Sequence, residues 1–534
     1  MSVVRKASRT RLGIYHQFKH SARLCSGVNK LDERENGSKG PSAQEDVMLI
    51  EENGEKVLRF LGKHLENMEG RHGQQRVVKP GDIANALPES APLKGACFDT
   101  ILNDVDKIIW PGLLHWQDPR FMAYYPSNAS LPAILAETLI AGAGVVGLQW
   151  VSSPAATELE VRVMDWLAKA IGVGGPFLHT SLEGGGIIQN TAGEAIANVM
   201  VCARVEKQRL LLFGDRDWSK LSSEEREQVY YNDSSKLVVY MSDQSHFSGP
   251  KAVRVAGMRL KIIPAKATSD GNMVLQPEDL EKQIHADREA GLIPCALQLN
   301  YGTTNTSSYD SLADFGDLVK EHGLWLHVDA AYAGASWILP KFQHRTKALE
   351  QLATSFNFNG SKWFLCGFDS AFLWVKDRRL LQQTFTATDA YLAESEVTCP
   401  YNPELKDWSV PLGRRFRSLR IWMVLRYYGL EGLQAHLDRT IVMANILREF
   451  LVAHPEKYEI PVKTELGLVV FCLKDGCEAT RALCEKLRQG GFLVYPSVLR
   501  DQAVIRVALG GTYTTNEDVK SLCELIQKCT TSVQ

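Results

Sequence analysis

Three side chains with chemistry to offer stand where short apolar runs end. Asp329 closes the run in "LWLHVDAAYAG", His246 follows "KLVVYMS" in "YMSDQSHFS", and Lys362 follows "FNFN" in "FNFNGSKWF". In a parallel α/β sheet, ligands bind beyond the carboxyl ends of the strands, so these three can converge on one ligand. Lys362 raises the sharpest question. A lysine among Phe356, Phe358, Trp363 and Phe364 either snorkels to water or holds a partner. A fourth element, "EGGGIIQNTAGEAI" (residues 183–196), can open a helix whose first N–H groups take an anion. It lacks the lysine of a nucleotide-binding loop, and its glycines do not match the GxGxxG spacing. Taken singly, each feature has a plainer explanation: a capping Asp, a structural His, a snorkelling Lys, a glycine turn. Taken together, they ask for a ligand with a phosphate, a carbonyl for the lysine and a basic nitrogen for the aspartate. Pyridoxal 5′-phosphate carries all three. The lysine would join its aldehyde, and the carboxylate would keep its ring nitrogen protonated so that the ring can accept electrons. A stacked histidine would hold the ring plane and touch the substrate carboxylate.

Such a site needs a sheet to position it. "KLVVYMS" (236–242), "CALQLNY" (295–301), "LWLHVDA" (324–330) and "SAFLWVK" (370–376) have the texture of buried strands, with helix-like stretches between several of them. The alternation predicts an α/β fold with a mostly parallel sheet covered by helices. Upstream, Val57, Phe60, Leu61 and Leu65 share one helical face, and residues 155–171 repeat that pattern. Downstream, helices near 430–453, 478–489 and 515–528 alternate with strands 467–473 and 504–509, which predicts a small α+β domain. The expected division is a basic N-terminal extension (1–45), an N-terminal helical segment (46–174), a large cofactor domain (175–440) and a small C-terminal domain (441–534).

Composition excludes several classes. Sixty Lys and Arg against sixty-two Asp and Glu leave a net charge of −2, so no global field draws nucleic acid or anionic lipid. Eleven scattered cysteines contain no CxxC pair, which fits a reducing compartment without a disulfide framework and gives no metal spacing. The longest apolar run, "LPAILAETLIAGAGVVGL" (131–148), contains Glu137 and three glycines, and predicts a buried helix pair rather than a membrane span. The first 31 residues carry seven Lys or Arg and no acid. Either a disordered basic tail on a cytoplasmic protein or an organelle transit peptide accounts for them.

With these residues in place, the chain resembles a known family. "HVDAAYAG", "SDQSHFS", "FNFNGSKWF", "SSPAATELE", "PLGRRFRSLRIW" and the upstream "DVDKIIWPGLLHWQDPRFMAYYPS" resemble the aromatic L-amino-acid decarboxylases of the pyridoxal-phosphate group II class, from about residue 54 to 530. The resemblance implies a fold-type I transferase-like homodimer whose N-terminal segment embraces the partner. It implies Lys362 as the Schiff-base lysine, Asp329 as partner of the pyridine nitrogen, His246 as the ring-stacking residue and Ala331 beneath the other ring face. Thr191, Ala192, Gly193 and Asn359 match phosphate-binding positions, and Thr304 matches a residue near the cofactor.

By the same resemblance, Tyr391 is the acid that returns a proton to Cα, on a mobile loop. In related aldehyde synthases that position is typically phenylalanine, or the histidine is asparagine. Tyr391 and His246 together therefore favour an amine product. The implied substrate pocket comprises Trp116, Tyr124, Tyr125, Pro126 and Ser127, with Leu148 contributed by a second copy of the chain and Gly413 leaving room for a large ring. Tryptophan, 5-hydroxytryptophan or DOPA are the expected substrates; the alternatives are an aldehyde synthase, or a tyrosine or histidine decarboxylase. Three departures bear on substrate choice: Ser361 replaces a usual histidine, Leu148 replaces a common aromatic, and Cys399 and Pro400 alter the loop.

Overall fold

The computed structural model describes residues 43–68, 78–269, 271–386, 399–463 and 465–531. Contacts divide it into two compact units, one ending at His115 and the other beginning at Trp116. The first unit carries α1 (Ala43–Glu66). Val57, Phe60, Leu61 and Leu65 are half-buried along it, while Leu58 and Arg59 face water, as an amphipathic helix requires. Phe60 meets Trp110 edge-on at 5.1 Å, and Trp110 Nε1 donates to His64 Nδ1 at 2.9 Å.

The second unit is built on a seven-stranded sheet. Its strands are β1 (Gly185–Gln189), β2 (Leu237–Ser242), β3 (Arg259–Ile263), β6 (Ile293–Asn300), β7 (Trp325–Asp329), β8 (Ser355–Asn359) and β9 (Ala371–Val375); β4 (Lys266–Ala267) and β5 (Met273–Val274) form a separate hairpin. The order is β1-β9-β8-β7-β6-β2-β3. Neighbours pair in parallel from β3 through β8, and only β9 runs against the rest. The carboxyl ends of β1, β2, β6, β7 and β8 therefore open on one edge. The mostly parallel sheet matches expectation.

β1 does not: "EGGGIIQ" looked like a glycine turn. Its glycines serve close approach instead. A Cβ at Gly184 would lie 2.1 Å from the Val375 carbonyl, and one at Gly186 would lie 2.5 Å from Trp374 Nε1.

The apolar run at 131–148 is also corrected. It forms one helix, α2 (Leu131–Ala143), not a pair. Gly144 in the left-handed region (φ 59°) ends it. Pro132, Ala133, Ala136 and Ile140 are buried, whereas Leu131, Leu135 and Leu139 face outward. Then follow α3 (Pro154–Ala170), which packs on β1, α4 (Ala192–Phe213) and α5 (Ser248–Val255). Lys362 lies on α6 (Gly360–Trp363), a single turn after β8, rather than within the strand-like run.

The long α7 (Arg417–Val452) breaks at Gly429 (φ 64°, ψ 177°), so its second half begins where the expected 430–453 helix begins. An antiparallel sheet follows, β10 (Tyr458–Glu459), β11 (Leu468–Leu473), β12 (Tyr495–Leu499) and β13 (Gln502–Ala508), in the order β10-β11-β13-β12. Helices α8 (Cys477–Gln489) and α9 (Asn516–Thr531) bury Leu483, Leu487, Leu522 and Ile526 against it. Among the described residues, ten cysteines are free and no helix is long and apolar enough to cross a membrane.

Candidate active site

Five strand ends deliver the chemistry. β1 runs into Thr191, whose Oγ1 accepts from Glu194 N (3.2 Å) and caps α4. The first N–H groups of a 22-residue helix, at Ala192 and Gly193, are thereby aimed at the sheet edge. β2 leads to His246, β6 to Thr303 and Thr304, β7 ends on Asp329, and β8 ends on Asn359 before the turn bearing Lys362. Thr191, Ala192, Gly193, His246, Asp329 and Lys362 all line one chamber of about 220 Å³, with Ala331, Asn359 and Thr304. Asn359 Oδ1 is buried there without a hydrogen-bond partner; with its amide turned over, Asn359 would present Nδ2 as a donor to an anionic ligand oxygen.

Hydrogen bonds fix the state of each group. Ser248 N–H donates to His246 Nδ1 (3.3 Å), and the Ser248 hydroxyl lies 2.8 Å from the same nitrogen. A backbone N–H only donates, so Nδ1 accepts and neutral His246 carries its proton on Nε2. Burial and the Lys362 charge lower the His246 imidazolium below its usual range, against the pull of Asp329. Burial also lowers the Lys362 ammonium; Asp329 opposes this and Arg506 reinforces it. Asp329 Oδ1 accepts from Ala331 N (3.0 Å) and Asn357 Nδ2 (3.4 Å), leaving Oδ2 to the chamber.

The chamber continues into a larger cavity of about 600 Å³; the two share Tyr125, His246, Thr304, Asn359, Lys362 and Phe368. An extended strap supplies its wall. Along it Tyr125, Ser127 and Ala129 face the cavity, and the residues between them do not. Asn128 instead fastens the strap. Its Nδ2 donates to Lys362 O (2.6 Å) and Gly510 O (2.7 Å), and its Oδ1 accepts from Thr512 N (2.8 Å). Tyr125 stacks on Tyr332 at 3.7 Å, and burial pushes its phenol up to about 12. Trp116 and Tyr124 stack at 5.6 Å and remain 38% and 47% exposed, so they are wall rather than core.

Of the residues expected at the site, all those for the cofactor lie in the chamber, and Trp116, Tyr124, Tyr125 and Ser127 line the outer cavity. Pro126, Leu148 and Gly413 do not line it within this chain. Pro126 occupies the alternate position of the strap. Gly147, beside Leu148, is held to Arg414 (N to O, 2.8 Å), and Gly413 borders Val146, so Leu148 and Gly413 share a separate corner. Tyr391 lies outside the described residues, as does the basic extension through residue 42. Sequence reasoning missed Asn128, Phe368 and Arg506. Phe368 had a signal, an aromatic between Gly367 (φ 73°) and Asp369 (φ 60°) in a strained loop; it is 68% exposed at the cavity. Arg506 had another, a charge inside the apolar strand "VIRVAL". Among the described residues no cluster of three metal-ligating side chains occurs.

Residues 80–474 match the model of the pyridoxal-dependent decarboxylase conserved domain. Bovine (Bos taurus) aromatic-L-amino-acid decarboxylase is 38% identical over 90% of this chain and 96% of its own length. Human (Homo sapiens) histidine decarboxylase is 37% identical over 90% of this chain and 70% of its own. Among solved structures, Oryza sativa TDC with PLP and tryptamine superposes with a TM-score of 0.84 at 31% identity, covering 93% of this chain and all of the other. Rhodiola rosea 4-hydroxyphenylacetaldehyde synthase superposes at 0.82 with 33% identity, covering 91% and 99%.

Proposed function

Because the chain belongs to the pyridoxal-dependent decarboxylase family, we propose that it removes CO₂ from a bulky aromatic L-amino acid and releases the arylalkylamine. It is a pyridoxal-phosphate-dependent decarboxylase; the choice of substrate and product is the proposal. The observation that carries it is the junction of two spaces. A chamber holding Lys362, Asp329 and His246 opens directly into a cavity walled by Trp116, Tyr124, Tyr125 and Phe368. Aromatic walls of that size favour tryptophan, 5-hydroxytryptophan or DOPA over the smaller, polar imidazole of histidine.

The residues fit the cofactor. Ala192 and Gly193 N–H groups, Thr191 and the Asn359 amide would hold its phosphate, Ala331 would lie under its ring, and Thr304 would flank it. When bound, pyridoxal phosphate supplies an aldehyde for amines and a protonated ring that takes up the electrons of the breaking Cα–carboxylate bond. Lys362 provides an amine whose protonated form burial disfavours. Asp329 Oδ2 would pair with the ring nitrogen and favour a proton on it. His246 presents Nε2–H as a neutral donor towards the substrate carboxylate and screens one ring face. The aromatic wall would orient the substrate ring and exclude water from the junction of the two spaces. Tyr391 completes the reaction by returning a proton to Cα.

A second copy of the chain is part of the proposal. The outward row Leu131, Leu135 and Leu139 on α2, with Val146 and Val151 beyond it, is an apolar surface suited to a homodimer partner. That copy would bring Leu148 to the pocket. Residence in the cytoplasm is also proposed, and an organelle pattern from the tagged full chain would instead make the basic N-terminus a targeting segment.

The test is a product screen with tryptophan, 5-hydroxytryptophan, DOPA, tyrosine and histidine, following CO₂, amine, aldehyde and peroxide. Amine equal to CO₂ from an indole or catechol substrate is expected. Peroxide equal to CO₂ would make the protein an aldehyde synthase like its Rhodiola relative. Histidine turned over fastest would overturn the substrate assignment. Tyr391→Phe is expected to shift product from amine to aldehyde.

A further inference from the structure

Buried strands of a parallel sheet are apolar on both faces as a rule, yet β7 and β8 carry a polar row. On β7, Trp325, His327 and Asp329 alternate with Leu326 and Val328. On β8, Ser355, Asn357 and Asn359 alternate with Phe356 and Phe358. The register places His327 opposite Ser355 and Asp329 opposite Asn357. The pleat therefore gathers all these polar side chains on one face, and His327, Ser355 and Asn357 are fully buried there.

They form a chain of hydrogen bonds with one direction. Trp325 Nε1 donates to Ser355 Oγ (2.8 Å). Read back from Asp329, which accepts at Oδ1, the row has the Ser355 hydroxyl donating to His327 Nδ1 (2.9 Å). Burial pushes the His327 imidazolium down to about 4, although Asp329 and Asn357 favour it, so the ring is neutral near pH 7. With Nδ1 accepting, the proton sits on Nε2 and is donated to Asn357 Oδ1 (2.8 Å). The Asn357 amide is thereby turned so that Nδ2 donates to Asp329 Oδ1 (3.4 Å). The row begins at an indole that only donates and ends at a carboxylate that, when ionised, only accepts. An amide separates His327 from Asp329, so no proton passes along it.

We infer that His327 and Asn357 are positioning residues that hold the Asp329 carboxylate aimed at the cofactor's ring nitrogen. This rests on the proposed function, because it needs the ring nitrogen to face Asp329. Oδ1 is occupied from behind by Asn357 and from the chain by Ala331 N. Oδ2 is then the only carboxylate oxygen free to turn, and the one that faces the chamber. Were the Asn357 amide released, it could present Oδ1 to the carboxylate and turn it away from the ring nitrogen.

The experiment compares two ligands on one protein: pyridoxal 5′-phosphate, and its 1-deaza analogue in which carbon replaces the ring nitrogen. Dissociation constants are read by fluorescence titration for the native chain, His327→Leu, His327→Gln and Ser355→Ala. The native chain is expected to favour pyridoxal phosphate over the analogue. His327→Leu is expected to weaken pyridoxal phosphate binding about 10-fold, the scale of outer partners that orient a ligand-holding side chain, and to leave the analogue within twofold. His327→Gln, which keeps an N–H towards Asn357 and a carbonyl towards Ser355, is expected to restore most of the difference. Ser355→Ala removes the far link without opening the wall and is expected to give a change of about threefold with the same ligand dependence. Equal losses for both ligands in the variants, or no loss for either, would overturn the positioning role. A native chain that binds both ligands equally, or neither, would instead sink the proposed function.

Discussion

Asn128 ties three parts of the second unit together, and an isosteric change at that one position tests whether the bond pattern or the shape matters. Asn128→Asp keeps the volume and the acceptor for Thr512 N but replaces the Nδ2 donor by a second oxygen. That oxygen would face the Lys362 carbonyl, now 2.6 Å from Nδ2, and the Gly510 carbonyl, now 2.7 Å away. Among the described residues neither carbonyl has another side-chain donor, and Asn128 is fully buried. An orphaned buried acceptor costs about 1–3 kcal/mol, so two of them place the loss near 4 kcal/mol before any burial of charge. The assay is urea unfolding followed by tryptophan fluorescence. The loss also has a pH signature. In the folded variant the introduced carboxyl is raised above its unfolded value, so the folded chain binds more protons in that window. The deficit against the native chain should then grow as pH rises and shrink towards pH 5, where a protonated carboxyl can donate to one carbonyl. A variant within about 1 kcal/mol of the native chain at pH 7.5, or a deficit independent of pH, would refute the role given to Asn128.

Three further changes probe the scaffold and one probes the histidine. Gly334→Ala sets a Cβ 2.5 Å from Phe358 Cβ and 3.1 Å from Ala330 Cβ; these atoms are fixed to the backbone, so the segment bearing residue 334 must move off the end of β8. About 2 kcal/mol of stability should be lost in urea unfolding, and the cofactor should dialyse away faster. Arg414→Met leaves Glu160 charged and unpaired in the core; a loss of about 3–5 kcal/mol is expected, largely recovered when Glu160→Leu is added. Lys362→Met addresses pH. Burial lowers the Lys362 ammonium below 10.5, so the unfolded chain binds more protons between the folded value and 10.5, and stability without cofactor rises with pH across that window. The variant's urea midpoint should lack this rise. Ser248→Ala leaves the backbone donor on His246 Nδ1, so the tautomer persists and kcat should fall by less than about tenfold, the scale of one hydrogen bond.

The sheet was legible because β2, β6 and β9 are largely apolar runs, the texture of strands buried on both faces, and β7 is a short run of the same kind interrupted by His327. β1 and β3 were not. In β1 the glycines that let the chain pass under Trp374 are the residues that otherwise signal turns. β3 lies at the sheet edge with only Ile263 buried, so "RLKII" keeps its charges and loses the apolar signature. Lys362, Asp329 and His246 were legible because the carboxyl edge of a parallel sheet is where chemistry collects. Of the outer wall, Trp116, Tyr124, Tyr125 and Ser127 came from the family resemblance, but Phe368 and Arg506 did not, since the strap, the loop at Phe368 and β13 lie far apart in the chain and meet only in space. Alternation of polar residues through β7 and β8 was present in "LWLHVDA" and "SFNFN". Its meaning required the register that sets His327 against Ser355.

The electrostatic balance at Lys362 follows from the same placement. Its ammonium and the Arg506 guanidinium lie 5.4 and 5.3 Å from the centre of one ring, that of Tyr125. Two buried cations so close disfavour each other, and burial acts in the same sense on Lys362. Asp329 alone among the cited groups supports the charged lysine, and it also supports a charged His246. Any cation that pairs with Asp329 Oδ2 withdraws that support from both side chains at once. Under the proposed function a protonated ring nitrogen would be such a cation, so occupancy of the chamber would itself favour a neutral Lys362 and a neutral His246. Asp329 would then act twice, holding a charge on the ligand and, once paired, withdrawing its support from the Lys362 ammonium.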